Sequence, residues 1–327
     1  MLALALLGMA GWGALALYYF DHLNAGLRTG LAAAFAIVSL GALAAWALPR
    51  WRWRAVGAYL VLFALLLSSW LAIEPSNDRD WQPEVAVLPY ATIDADRVTV
   101  HNIRNFDYRT ETDFTPAYYD KTFELKKLDS VDLVASYWMG PDIAHTFLSF
   151  GFAGKDYLAI SIETRKERHE SYSSLQGFFR QYELYYVVAD ERDVIRVRTN
   201  YRRDPPEDVY LYRLKGATDN ARHLFLAYME KINALKERPE FYNTLTTNCT
   251  TNIWMHSRVN PGHPPFSWKI LTSGHVPRLL YEAGRLDTSV PFTELQRRGR
   301  INSLAQAADK AEDFSQRIRV TPAASAP

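Results

Sequence analysis

Three long apolar stretches near the N-terminus limit what this chain can fold into more than any other feature. Leu2 to Phe20, Gly30 to Leu48 and Ala55 to Ile73 contain no charged residue. Each approaches the ~20 residues an α-helix needs to cross a hydrocarbon layer. Backbone amides find no water inside a bilayer, so such stretches are driven to be helical. Three transmembrane helices are therefore expected in residues 1–74. A signal peptide is the competing reading of the first stretch, but that stretch lacks a basic leader and two further apolar stretches follow it.

The short links set the orientation. Arg50, Arg52 and Arg54 alternate with Trp51 and Trp53 in the second link, whereas the first carries Arg28 opposed by Asp21. Positive loops stay on the cytoplasmic side. The N-terminus is then cytoplasmic, and everything after Ile73 lies in the periplasm, anchored to a bacterial inner membrane. The net charge of +1 gives neither a nucleic-acid-binding surface nor an acidic tail.

Beyond a Pro-containing link from Glu74 to Pro83, residues 75–320 have the composition and length of one soluble domain with a substantial core. Residues 321–327 are small and Pro-containing, and disorder is expected there. The chain has no Gly-rich phosphate loop, no paired CxxC and no HExxH, so no cofactor is expected. Its eight histidines are scattered, without the three or four ligands at usable spacing that a metal needs.

Period-two alternation predicts strands at Arg97–Ile103, Lys121–Leu125 and Asp193–Arg198. A hairpin is expected from His145–Phe152 and Tyr157–Glu163 around Ala153-Gly154-Lys155-Asp156. A turn centred between Gly154 and Lys155 pairs His145 with Thr164, and a one-residue slip changes which neighbour shares the histidine's face. Either way His145 meets a carboxylate, Glu163, at one sheet edge. From Asp219 onward the pattern is helical: Ala221–Leu235, Thr250–Arg258, Val276–Ala283 and Leu304–Arg319. The domain as a whole reads as α+β.

Cys249 is the only cysteine, and in an oxidising compartment it has no internal disulfide partner. Its neighbours, Thr246 to Asn252, are polar and include good N-cap residues ahead of a helix. A thiol in the first turn of a helix faces unpaired amides and the positive end of the dipole, which lowers its pKa. Cys249 is thus either a nucleophile or a buried thiol. His256 follows it by seven residues, about 10.5 Å of helical rise, too far for a direct hydrogen bond. His145, leading into a strand after Met139-Gly140-Pro141-Asp142, is the better base, and an imidazole oriented by a carboxylate is the base half of a nucleophile system. The run from Glu163 to Arg168 is a solvated strand end, or else a place where Glu163 orients the base and Arg165 contacts an anionic group such as phosphate.

The motifs Val98–Tyr108, Ala144–Phe150, Ser161–Glu167, Tyr182–Val188 and Thr247–Asn252, in this order, resemble the Lnb-type periplasmic domain of bacterial membrane proteins. The resemblance implies a permuted papain-like fold (NlpC/LRAT-like) in which histidine precedes cysteine, as in relatives of lecithin:retinol acyltransferase. It also implies lipoprotein N-acylation, with membrane phospholipid as acyl donor and a lipoprotein or other amine as acceptor. On that analogy Cys249 is nucleophile, His145 base and Glu163 its orienting group, and Asn248 neighbours the nucleophile or contributes to the oxyanion hole. The expected function is a periplasmic thiol acyltransferase. A papain-like cell-wall peptidase or amidase is the alternative enzyme, and a non-catalytic envelope protein that binds a lipid or partner is the third reading.

Overall fold

The apolar stretches fold as helices α1 (Leu2–Tyr18), α2 (Ala25–Trp46) and α3 (Arg52–Leu71) in the computed structural model, which describes residues 1–21 and 23–320. The expectation of disorder at 321–327 lies outside the described residues. Among the described residues, two helices, α2 and α3, are long and apolar enough to cross a membrane. This corrects the expectation of three. Helix α1 has 17 residues and stops at Tyr18, so it spans about 26 Å against the ~30 Å of a hydrocarbon core. Only 22% of the apolar window of α2 and 11% of that of α3 is buried. Most of their apolar side chains therefore face outward, a surface poorly suited to water.

The chain forms two compact units. The first comprises Met1–Ser76 with Ser171–Glu183 and Phe241–Thr244. Within it the phenyl ring of Phe35 presses against α1 at Gly13, where any Cβ would collide with it. Arg180 donates to the carbonyls of Trp70, Leu71 and Ile73 at 3.3, 2.9 and 2.9 Å, and its guanidinium lies over the Trp70 ring at 4.4 Å. A cation on the last carbonyls of α3 complements the negative end of the helix.

The second unit comprises Asn77–Glu170, Leu184–Glu240 and Leu245–Pro327. Its strands are β1 (Tyr90–Asp94), β2 (Arg97–Arg104), β3 (Asp107–Tyr108), β4 (Phe114–Thr115), β5 (Tyr118–Glu124), β6 (Leu128–Tyr137), β7 (Ala144–Phe152), β8 (Asp156–Arg165), β9 (Glu183–Ala189) and β10 (Asp208–Arg213). The main sheet runs β1-β2-β9-β8-β7-β6-β10, with β5 also paired to β2, while β3 and β4 form a separate ribbon. Its helices are α4 (Glu191–Arg196), α5 (Thr218–Glu237), α6 (Cys249–Ser257), α7 (Val276–Glu282), α8 (Phe292–Gly299), α9 (Asn302–Ala307) and α10 (Phe314–Arg317). The fold class is α+β, as the sequence pattern indicates.

Alternation along the central strands divides the core between two faces. Val134, Phe147, Ala159, Tyr185 and Val187 bury one face against Ile195 of α4, Ala305 of α9 and Phe314 of α10. On the other, Phe225 of α5 packs edge-on to Phe150 and Phe152 at 5.2 and 5.4 Å.

Two predicted elements differ. Asp193–Arg198, expected as a strand, is the end of α4 followed by a π-helical turn, Val197–Tyr201. Asp190 caps that helix through Arg192 N–H at 2.9 Å. The buried Asp193 carboxylate accepts from Arg104 at 2.7 Å and from Phe106 N–H at 2.7 Å. Those distant partners override the local alternation. Leu304–Arg319, expected as one helix, breaks into α9 and α10, because Asp309 between them is held by Asn200 at 2.7 Å and Tyr201 at 3.2 Å.

Candidate functional site

The hairpin forms one residue tighter than the turn signal suggests. Leu148 pairs with Ile160 and Phe152 with Asp156 across Ala153-Gly154-Lys155. Ala153 and Gly154 take positive φ values of 52° and 62°, so the turn centres on Gly154 and not after it. Continued to the open end, this register sets His145 opposite Glu163 in place of Thr164. Directly opposed residues share a face, and Ser161 and Glu163, two apart, share it as well.

His145 is accordingly enclosed by that face. Its Nε2 lies 2.6 Å from Ser161 Oγ and 3.0 Å from Glu163 Oε1. Ser161 in turn donates to the same carboxylate oxygen at 2.7 Å, and Arg198 donates to it at 2.9 Å. Arg198 reaches in from the π-helical turn and also donates to Glu207 at 3.1 Å. Glu207 takes a further bond from Arg202 at 2.6 Å and one from Ser136. The histidine is thus the end of a chain of alternating charges, most of it buried.

The lead-in loop to β7 is braced from the far side of the sequence. Ala144 N–H donates to Ser273 Oγ at 3.0 Å, Tyr137 donates to the Gly274 carbonyl at 2.8 Å, and Gly274 N–H donates to the Asp142 carbonyl at 3.0 Å. A side chain at 274 would run into the Pro141 carbonyl, so this close approach needs glycine.

Cys249 is the first residue of α6, which packs on β7 and β8. Asn248 caps the helix: its side-chain oxygen accepts from Thr251 N–H at 2.8 Å, while its own N–H donates to Thr251 Oγ1 at 2.9 Å. Asn248 therefore acts by fixing where the helix starts. The amides of Cys249 and Thr250, first in the helix, have no carbonyl of their own helix to bond.

The half-buried thiol lies near enough to the His145 imidazole and the Thr146 backbone N–H for both to act on its ionisation. Thr250 Oγ1 stands 3.6 Å from the sulfur. With Nε2 engaged by Ser161 and Glu163, the ring nitrogen left for sulfur is Nδ1. Burial pushes the thiol pKa up, but the imidazole, the Thr146 amide and Thr250 together bring it down to about 7. Burial pushes His145 down, and Arg198 does the same. Glu163 and Cys249 outweigh both and hold it at about 9. Burial also works against the Glu163 carboxylate, which His145, Arg198 and Ser161 keep well below the usual carboxylate range. A lowered thiol beside a raised imidazole favours the thiolate–imidazolium pair.

The remaining sequence candidates lie elsewhere. Arg165 is not brought to the thiol. It is buried, donates to the Val85 and Ala86 carbonyls and to Asn77 Oδ1, each at 2.9 Å, and stacks on Trp81 at 4.2 Å. Its guanidinium clamps the segment before β1, which replaces the anion-binding expectation. His256 is 2.8 Å from the Tyr186 hydroxyl, and burial, helped by Lys231, lowers it to about 4. No cluster of His, Cys, Asp and Glu fit for a metal occurs among the described residues. Ser161, Thr146, Arg198 and Glu207 escaped the sequence reading. A period-two glance at Ser161-Ile162-Glu163 would have found the first.

Cys249 gives the arrangement a direct test, since no other thiol competes. Alkylation by iodoacetamide is expected to rise through a midpoint near pH 7. In His145→Ala the midpoint should climb to or above the ordinary thiol value of about 8.5. An unchanged midpoint in the variant would mean that the imidazole does not govern the sulfur.

Fold and site together define an α+β domain in which a carboxylate-held imidazole lowers the pKa of a helix-terminal thiol, in a chain with two helices long and apolar enough to cross a membrane ahead of it. Residues 114–274 match the family model described as the Lnb N-terminal periplasmic domain. The match contains His145, Glu163 and Cys249. No curated protein and no solved structure matches the chain. The family description and the apolar helices fit a membrane-anchored periplasmic protein.

Proposed function

We propose that this protein is a periplasmic thiol acyltransferase, moving an acyl chain from phospholipid to an amine such as a lipoprotein N-terminus through a thioester on Cys249. One observation carries the reading: Cys249 opens a helix packed on the strand that bears His145, and that imidazole, 3.0 Å from Glu163, lowers the thiol pKa. A thiol whose pKa is lowered by a neighbouring imidazole suits a nucleophile better than a structural cysteine. The order of histidine on a strand before cysteine on a helix supports the permuted papain-like (NlpC/LRAT-like) fold. The arginines of the second apolar link support its placement on the cytoplasmic side, which puts the segment after α3 in the periplasm and supports inner-membrane anchorage.

The reaction proceeds in two steps. The Cys249 sulfur attacks the ester carbonyl carbon of the lipid, and the first amides of α6 face the oxyanion. The carbon–oxygen bond breaks as the His145 imidazolium protonates the departing lysolipid oxygen, leaving a thioester. The acceptor amine then attacks that carbonyl, His145 takes its proton, and the carbon–sulfur bond breaks to restore the thiolate. Ping-pong kinetics follow.

Intact-mass measurement of the full chain after incubation with phospholipid tests this. An acyl-sized adduct removable by hydroxylamine is expected, and an added aminoacyl lipopeptide should discharge it with formation of the amide. Discharge by water alone would instead favour the peptidase or amidase reading. Absence of any adduct would refute acyl transfer from phospholipid.

A further inference from the structure

Helix α6 bears the thiol at its first residue and forms the wall of a cavity with the residues that follow. This cavity has a volume of about 200 Å³, and Thr250, Ile253 and Ser257 line it from α6. Leu133 and Leu148 from the sheet and Leu279 from α7 contribute to the remainder of its apolar lining. The cavity opens to solvent and its wall is mainly apolar, with Asp129, Lys215 and Arg285 also contributing to it. A space of this order takes up a short run of methylene groups.

Thr250 ties the cavity to the chemistry. Thr250 lines the cavity, and its Oγ1 stands 3.6 Å from Cys249 Sγ and 3.2 Å from Thr146 Oγ1 on β7. The apolar lining thus begins at the residue next to the thiol. Water offers a long alkyl chain no comparable refuge: each buried methylene contributes about 0.8 kcal/mol, close to fourfold in binding.

We propose that this cavity receives the first part of the alkyl chain of the acyl group carried by Cys249, which makes it the determinant of acyl-chain length. The assignment rests on the acyltransferase reading and deepens it. An occupant with polar groups along its length would leave them unpaired against Leu133, Leu148, Ile253 and Leu279. The first carbons past the thioester are the ones the site measures.

The test uses the full chain in nanodiscs of ether-linked phospholipid, which offer no ester to the thiol. Soluble p-nitrophenyl esters of acetate, butyrate, hexanoate and octanoate serve as acyl donors. Sulfur bonds to the carbonyl carbon, the carbon–oxygen bond breaks, and p-nitrophenolate is released and read by absorbance. The kcat/KM for acylation is expected to rise about fourfold per methylene along the series, because bound chain lowers the barrier. Ile253→Trp, which fills the cavity from α6, should lower the octanoate-to-acetate ratio at least tenfold. Leu279→Trp, filling it from α7, should do the same. Damage to folding scales both esters together and leaves the ratio unchanged, so the ratio isolates the cavity. If the wild type acylates acetate and octanoate equally, or both variants keep the wild-type ratio, the cavity is not the chain site although the thioester chemistry stands. Failure of every ester to acylate Cys249 would overturn the inference together with the proposed function.

Discussion

Cys249→Ala is expected to eliminate the acyl adduct and to lower turnover by at least about 10⁴-fold, the scale on which covalent enzymes lose activity with their nucleophile. The reasoning is structural. The sulfur is the one group in the chain that combines a position at the start of a helix, an imidazole partner and a pKa brought down to about 7. The Asn248–Thr251 capping bonds define α6 without any help from the thiol. Removing a half-buried sulfur should therefore change stability by less than about 1 kcal/mol. Intact-mass and thermal-melting measurements on the same preparation separate the two effects. An adduct that persists in the alanine variant would move the nucleophile elsewhere and end the thioester mechanism.

Some of this site was legible in the sequence because local rules governed it. The hairpin turn at Gly154, the apolar stretches, and the polar N-cap run before Cys249 are all set by neighbours within a few residues. Even there, register slipped by one: Ala153 adopts a positive φ that residue type does not advertise, and the slip set Glu163 in place of Thr164 opposite His145. Arg198 was out of reach for a different reason. Its segment alternates like a strand, and what makes it helical is the distant pair Arg104 and Asp193 together with the Asp190 cap. Arg165 shows the converse failure. The charged run around it reads as a wet surface, yet Trp81 and the Val85 and Ala86 carbonyls enclose its guanidinium completely enough to bury it. Partners far along the chain decide such residues, and no window of neighbours contains them. The first apolar stretch failed by length alone, since its helix ends at Tyr18 before a full crossing.

Glu163→Gln should have the second-largest effect, a drop of about 10²- to 10⁴-fold in kcat/KM with a changed pH profile. In the wild type the lower limb belongs to the thiol near 7 and the upper limb to the imidazole near 9. Activity rises with pH as the thiol ionises and falls as the imidazolium loses its proton. Glutamine removes the charge that raises His145, so burial and Arg198 then pull the imidazole down toward or below its ordinary value of about 6.5. A neutral imidazole no longer lowers the thiol, which climbs toward its ordinary value. The order of the two inverts, and the thiolate–imidazolium pair ceases to be the dominant form at any pH. Arg198→Gln distinguishes charge from placement. Arg198 itself lowers the imidazole, so its loss should not move the upper limb downward, yet Glu163 loses the donor that fixes its oxygen. A rate loss of about tenfold with the upper limb held or raised is expected. Arg198→Lys should restore little, because a single ammonium cannot fork between Glu163 and Glu207. If Glu163→Gln and Arg198→Gln instead shifted the upper limb downward together, the arginine would be supporting the imidazolium through Glu163 more than repelling it. If neither variant altered the pH profile, the carboxylate would have no part in setting the histidine.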